Sequence, residues 1–224
     1  MITQAGIDAL RALLSPGDAA IDIGAHTGDT TLPMALAVGC GGCVLALEPN
    51  PYVFAVLQQN AGLNPHKTNI VPLPFAATVA DGEYEFEYSD PGFCNGGFIK
   101  GQCSWQHAHA FKLKVQGRNL VAYLRREHPD FLPRIRYIKI DAEGYDCEIL
   151  ESLAELVSAE KPYLRTEVFN HSSLAQHLQL YRTVTILGYH VHRFDDDAHY
   201  RGPLLAENDF TAARGFDIFC EPRS

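Results

Sequence analysis

The stretch from Ala19 to Gly39, AAIDIGAHTGDTTLPMALAVG, restricts the fold more than any other part of the chain. It opens with a short apolar run, passes through two glycines four apart, and continues with helical character, with Pro33 in the first turn where proline is tolerated. It reads as strand, turn, helix. A second unit follows: CVLALE (Cys43 to Glu48) is a buried strand, and PNPYVFAVLQQNAGLN starts a helix with Asn50 as N-cap, Pro51 at the first helical position and a stop near Gly62. A third strand falls around Asn69 to Leu73. Strands and helices alternating at these lengths predict an α/β fold, a parallel sheet with helices on both faces.

The remaining chain supplies the ends and an insertion. Residues 1–18 form an amphipathic lead-in helix with Ile7, Leu10, Leu13 and Leu14 at helical spacing, ended by Pro16 and Gly17. GEYEFEYS alternates apolar and acidic residues like a solvent-facing strand, FCNGGFIKGQCSWQHAH is rich in glycine and polar residues, and AFKLKVQG reads as another strand. Together they predict a hairpin or loop elaboration around 83–118. NLVAYLRREH is a helix, RYIKIDAEG a fourth core strand running into a turn, YDCEILESLAELV a helix and PYLRTEVF a fifth strand. A helix in SLAQHLQLYRTVTILG precedes two closing strands, YHVHRF and FDIFCEP, expected as an antiparallel pair. With 224 residues, one domain over 19–224 is the expected organisation.

Composition enters as exclusion. A net charge of −9 argues against a broad nucleic-acid surface, which needs Lys and Arg to neutralise phosphates. A small or neutral partner suits it better. No apolar run approaches the roughly 20 residues of a membrane helix, and the N-terminus lacks a signal-peptide pattern, so a cytoplasmic protein is expected. The six cysteines do not form the framework of a small disulfide scaffold and read as free thiols.

The turn between the first strand and helix is where such sheets bind ligands. Gly24 and Gly28 there remove Cβ atoms and permit positive φ, so a ligand can lie against the backbone, although a tight turn alone also wants glycine. Glu48 ends the second strand, 24 residues after Gly24, where an acid accepts from both hydroxyls of a ribose. An adenosine-containing ligand follows. A dinucleotide motif would need glycines where His26 and Asp29 stand, and an acid at the helix entry repels a pyrophosphate. S-adenosylmethionine has no phosphate and carries a sulfonium and an ammonium, which Asp22 and Asp29 tolerate.

A second cluster, IKIDAEGYD, spans Ile138 to Asp146. Lys139 and Asp141 share a strand face, and Glu143 and Gly144 lie in the turn beyond, so two carboxylates and an ammonium converge on the ligand edge. Either acid alone also reads as a cap for the following helix.

IDIGAHTGDTT and LEPNP paired with IKIDAEGYDCEIL resemble the FkbM family of S-adenosylmethionine-dependent methyltransferases, from about Ile21 to Cys220. The resemblance implies a Rossmann-like class I methyltransferase fold with a seven-stranded, mostly parallel sheet, and methyl transfer to a hydroxyl of a sugar, polyketide or other secondary metabolite. It implies that Asp22, Gly24, Ala25, Gly28, Glu48 and Asn50 surround the cofactor, that Ala76 and Ala77 line its adenine side, and that Asp141 borders cofactor and acceptor. The chain departs from the family at His26 and Thr27, where asparagine and an aliphatic residue are usual, at Asp146, usually glutamate, and at Glu151 and Ser152, where a glycine is common. The first two bear on how the loop meets the methionine moiety. Candidate bases are Asp141, Glu143, Glu167 and His171, with Lys139 as charge partner; the Asp141/Glu143 pair is the preferred reading.

The rivals on the same residues are an NAD(P)-dependent oxidoreductase and a cofactor-binding module without turnover. Weaker motifs are Cys40-Gly-Gly-Cys43, a zinc half-site with no second half, and the pairs His107/His109 and His190/His192, which read more simply as strand faces. Asp141 and Glu143 offer magnesium too few ligands, so no metal is expected. Phe93, Phe98 and Trp105 among glycines read as a lid over the acceptor or as a packed surface hairpin. The sequence leaves open the acceptor, whether the chain forms a homo-oligomer or belongs to a larger multidomain protein, and the role of His26.

Overall fold

β1 (Ala19–Ile23) and β2 (Cys43–Leu47) are buried at every position, which is why neither shows polar alternation: both faces of these strands are covered by helices. The structure, a computed structural model, describes residues 2–67, 69–88, 96–99, 111–211 and 215–223, with 96–99 and 111 described as backbone only. β3 (Ile70–Leu73), β8 (Ile135–Ile140), β9 (Tyr163–Val168), β10 (Tyr189–Arg193) and β11 (Phe216–Pro222) complete a seven-stranded sheet in the order β10-β11-β9-β8-β1-β2-β3. All its pairings are parallel except those of β11, which runs antiparallel to both neighbours. The expected antiparallel closing pair is present.

α1 (Gln4–Arg11) and α2 (Thr31–Val38) cover one face, where Leu10, Leu14, Met34 and Val38 pack on Ala20, Val44, Tyr137 and Phe219. The other face carries α4 (Leu120–Glu127), α5 (Asp146–Ser152), α6 (Ala154–Glu160) and α7 (Leu174–Ile186), packed on Ile21, Leu45, Ile138 and Leu164. α3 (Pro51–Ala61) begins as the sequence predicts: the Asn50 side chain accepts from the Tyr52 N–H and Pro51 stands first in the helix. The single helix expected over 145–157 is instead two, α5 and α6, broken at Leu153. Among the described residues no helix is long and apolar enough to cross a membrane.

The elaboration is a second sheet. β4 (Ala76–Ala77), β5 (Gly82–Tyr88), β6 (Gly96–Ile99) and β7 (Phe111–Arg118) pair in the order β4-β7-β5-β6. β4 leaves the main sheet straight after β3 and pairs with Gly117 and Arg118. On β5, Glu83, Glu85 and Glu87 meet Lys112 and Lys114 of β7 on the outer face. Tyr84, Phe86 and Tyr88 form the inner face with Ala76 and Val115. β5 therefore faces water on one side only.

Candidate active site

A cavity of about 290 Å³ opens above the carboxyl ends of β1, β2 and β8, close to the lower end of the size range for small-molecule sites. Gly24 and His26 line it from the loop after β1, Glu48 from the end of β2, and Asp141 and Glu143 from the loop after β8. Ala76, Ala77, Phe86 and Tyr88 line it from the smaller sheet, so that sheet walls the cavity. Residues expected at the cofactor are thus split: Gly24, Glu48, Ala76, Ala77 and Asp141 face the space, while Asp22, Ala25, Gly28 and Asn50 support it from behind.

Gly24 has φ +74°, and a Cβ there would lie 2.0 Å from the Asp141 carbonyl oxygen. The glycine is required by the contact between two loops, whatever lies in the cavity. Asp22 is wholly buried: Oδ2 accepts from the Thr30 hydroxyl at 2.8 Å and the Thr31 hydroxyl at 2.6 Å, tying the start of α2 to β1. Lys139 Nζ lies 3.5 Å from Asp22 Oδ1 and 3.1 Å from Asp141 Oδ2, so one buried ammonium joins β1 to the site. Burial alone would lower the Lys139 pKa, but the two carboxylates raise it above the usual lysine value. Ala25 packs on Ala46 and Leu57, and Gly28 has φ +99° with Leu57 beside it.

Glu48 is held by two backbone donors. Oε2 accepts from the His26 N–H at 3.0 Å and Oε1 from the Asn50 N–H at 2.8 Å. Burial nonetheless pushes its pKa up to about 7, against the opposing pull of those two hydrogen bonds. A carboxyl fixed in this way, facing an apolar wall, suits the hydroxyls of a ribose. Asn50 is fully buried, occupied with capping α3.

Asp141 is nearly half exposed and Glu143, at φ +51°, turns into the cavity beyond it. Burial first, then the charges of Asp141 and Asp146, push Glu143 up to about 7. Asp146, which the sequence marked as a departure, is a buried anchor: it accepts from the Ala142 and Gly144 N–H groups, the Thr166 hydroxyl and the Glu167 N–H. It therefore shapes the turn that carries Asp141 and Glu143, and its own pKa rises to about 6 through burial. Glu167 does not line the cavity; it sits on β9 opposite Asp217, pushed up to about 8 by burial and then by Asp141 and Glu143. His171 lies beside the Phe169 ring at 5.3 Å and also stands outside the lining.

The remaining motifs do not converge. Cys43 is buried in β2 with its thiol pushed up to about 12, while Cys40 is exposed. His190 is exposed and His192 Nδ1 faces the Gly202 carbonyl at 3.1 Å. Asp29 lines a separate depression with Pro33 and Arg165. Among the described residues no three His, Cys, Asp or Glu are grouped to hold a metal. Phe93, Cys94, Cys103, Trp105, His107 and His109 lie outside the described residues, as does the Phe98 side chain. Two wall residues, Phe86 and Tyr88, were missed; the period of GEYEFEYS showed which side chains share a face but not what that face meets.

The strand order, with β11 inserted antiparallel and a carboxyl-edge cavity between an acid after β2 and a loop after β1, defines the class I S-adenosylmethionine-dependent methyltransferases. Residues 22–191 match the methyltransferase FkbM domain, and the chain belongs to that family, which uses S-adenosylmethionine. Solved structures share the fold. Methyltransferase FkbM from Methylobacillus flagellatus KT is 14% identical, with a TM-score of 0.54 over 92% of this chain and 44% of that one. The chain thus spans under half of that protein. An S-adenosylmethionine-dependent O-methyltransferase from Thermotoga maritima is 13% identical, with a TM-score of 0.50 over 99% of this chain and 66% of that one. A Streptococcus mutans protein solved in complex with SAH is 11% identical, with a TM-score of 0.50 over 99% of both chains. Among curated proteins, none matches the sequence.

Proposed function

We propose that the chain transfers the methyl group of S-adenosylmethionine to a hydroxyl oxygen of a small molecule or glycan. The observation that carries this reading is that Glu48 and Asp141 face one cavity from the ends of β2 and β8, one suited to a ribose and the other to the reacting end. When bound, the cofactor supplies an electrophilic methyl on a sulfonium. The chain's own part is to orient the acceptor and take its proton. Asp141, with Lys139 holding it, and Glu143, which ionises as pH rises through about 7, are the groups within reach of that proton. Glu167 and His171, the other candidate bases, stand outside the cavity lining and are the less favoured choice. The T. maritima likeness supports oxygen as the accepting atom only by analogy of fold.

Incubating the chain with methyl-labelled S-adenosylmethionine and a panel of hydroxylated acceptors, with mass-spectrometric readout, tests the reading. A labelled O-methyl product is expected. Thermal stabilisation by NAD and none by S-adenosylmethionine or its demethylated product would overturn it in favour of an oxidoreductase.

A further inference from the structure

Asp22 is wholly buried and stands outside the cavity lining, and its two oxygens are treated differently. Oδ2 accepts from the hydroxyls of both Thr30 and Thr31. Oδ1 receives no hydrogen bond among the described residues, although Lys139 Nζ is 3.5 Å away. That ammonium, also buried, is drawn to the other side, where it lies 3.1 Å from Asp141 Oδ2 and donates to the Gly24 carbonyl at 3.4 Å. One cation is thus shared unequally between two carboxylates, of which only Asp141 reaches the cavity. A buried carboxylate oxygen short of a hydrogen bond is costly, and such a group is normally satisfied.

The other charged groups that act on Lys139 have partners of their own or are held neutral below neutral pH. Arg165 on β9 is held by Asp197 at 3.0 Å and Asp217 at 2.8 Å. Glu48 on β2 accepts from the His26 and Asn50 N–H groups, and both it and Glu143 are pushed up to about 7 by burial. The attraction of Lys139 is therefore divided between Asp22 and Asp141. Once Asp141 has taken a proton it is neutral, and a buried ammonium that loses its nearest partner needs another carboxylate. Asp22 Oδ1 is in place for it. We infer that Asp22 is a positioning residue for the transfer: by sharing Lys139 it leaves Asp141 free to accept a proton, and it takes over the ammonium when Asp141 becomes neutral. This rests on the methyltransferase reading. The acceptor oxygen bonds to the methyl carbon as the carbon–sulfur bond breaks, its electron pair staying on sulfur. The hydroxyl proton passes to Asp141 and, through the exposed side of that carboxyl, to water.

Asp22→Asn keeps an oxygen for Thr30 and Thr31 and removes the charge, so Lys139 then serves Asp141 alone. Single-turnover transfer rates against pH test this, with Glu143→Gln in both chains so that its ionisation drops out of the profile. The acid limb is expected to move to lower pH by about one unit, with a lower plateau, because an undivided ammonium holds the carboxylate charged and makes it a weaker base. S-adenosylhomocysteine affinity should hold, since Asp22 is outside the cavity lining. A limb that stays in place or moves to higher pH would overturn the inference, as would a rate loss matched by an equal loss of affinity, the mark of a structural role alone. A second measurement needs neither an acceptor nor a change at Asp22. The Asp22 carboxyl ¹³C resonance should respond to pH below about 6, where Glu48 and Glu143 are protonated, and lose that response in Asp141→Asn. A resonance that is flat in the unmodified chain, or unchanged in its response by Asp141→Asn, would overturn the sharing of Lys139. Failure of the unmodified chain to methylate any acceptor would instead remove the methyltransferase reading, and the carboxyl resonance would still decide whether Asp22 and Asp141 are coupled.

Discussion

Gly24 and Asp141 meet backbone to backbone: a single added carbon on Gly24 would fall 2.0 Å from the Asp141 carbonyl oxygen. The loops after β1 and β8 are thus pressed together, with Asp141 N–H donating to the Ile23 carbonyl at 3.1 Å. Gly24→Ala is expected to cost about 3 kcal/mol or more, from left-handed strain plus displacement of the Asp141 loop. Urea denaturation measures it; a loss below about 1 kcal/mol would show that the two loops part easily.

Lys139 serves two carboxylates at once. Lys139→Met leaves Asp22 buried without its ammonium, and a loss of about 3–5 kcal/mol in unfolding free energy is expected. Asp22→Asn combined with Lys139→Met should recover part of that loss, since the uncompensated charge goes with it. A double-mutant cycle with no coupling between the two positions would contradict the pairing.

The acids at the site make stability depend on pH. Folded-state values are raised for Glu48 and Glu143 to about 7 and for Glu167 to about 8, each from 4.5. An acid raised on folding binds more protons in the folded state, so its stability contribution is complete below the unfolded value and is lost as pH rises through the folded one. The ligand-free chain should therefore melt at a higher temperature near pH 5.5 than near pH 8.5. Glu167→Gln should narrow that difference. A melting temperature that rises steadily from pH 5.5 to 8.5 would refute the assignment.

Catalysis should separate from binding. Asp141→Asn is expected to lower the transfer rate by about 10²- to 10⁴-fold while S-adenosylhomocysteine affinity holds, as for loss of a general base. Glu143→Gln should remove an inflection near pH 7 from the rate profile, where that group ionises. Single-turnover rates across pH 5.5–9 decide between them. If both variants keep the unmodified rate and profile, proton removal lies elsewhere.

The alternation of buried strands with helices was legible because β1 and β2 are apolar but for Asp22 and their helices carry recognisable starts, Asn50 and Pro51 above all. IKIDAEG was legible for a similar reason: strand alternation places Lys139 and Asp141 on one face, and the structure brings them within 3.1 Å. What sequence could not convey was direction through space. Asp22 looks like a ligand residue by position, yet its side chain turns behind the loop to Thr30 and Thr31. β4 carries no signal of its own, yet it pairs with Gly117 and Arg118, and a two-residue strand has no period to reveal that choice. Asp146 reads as the start of a helix; two of its four hydrogen bonds reach to Thr166 and Glu167 on β9, a long-range arrangement that no local pattern encodes.

The cavity belongs to neither sheet alone: Glu48 and Asp141 stand on the larger, Phe86 and Tyr88 on the smaller. A molecule seated there touches both, acting as a keystone between two arches. Affinity for that molecule and the docking of the smaller sheet are then linked, so a change that loosens β5 on its neighbour is expected to read out as weaker binding.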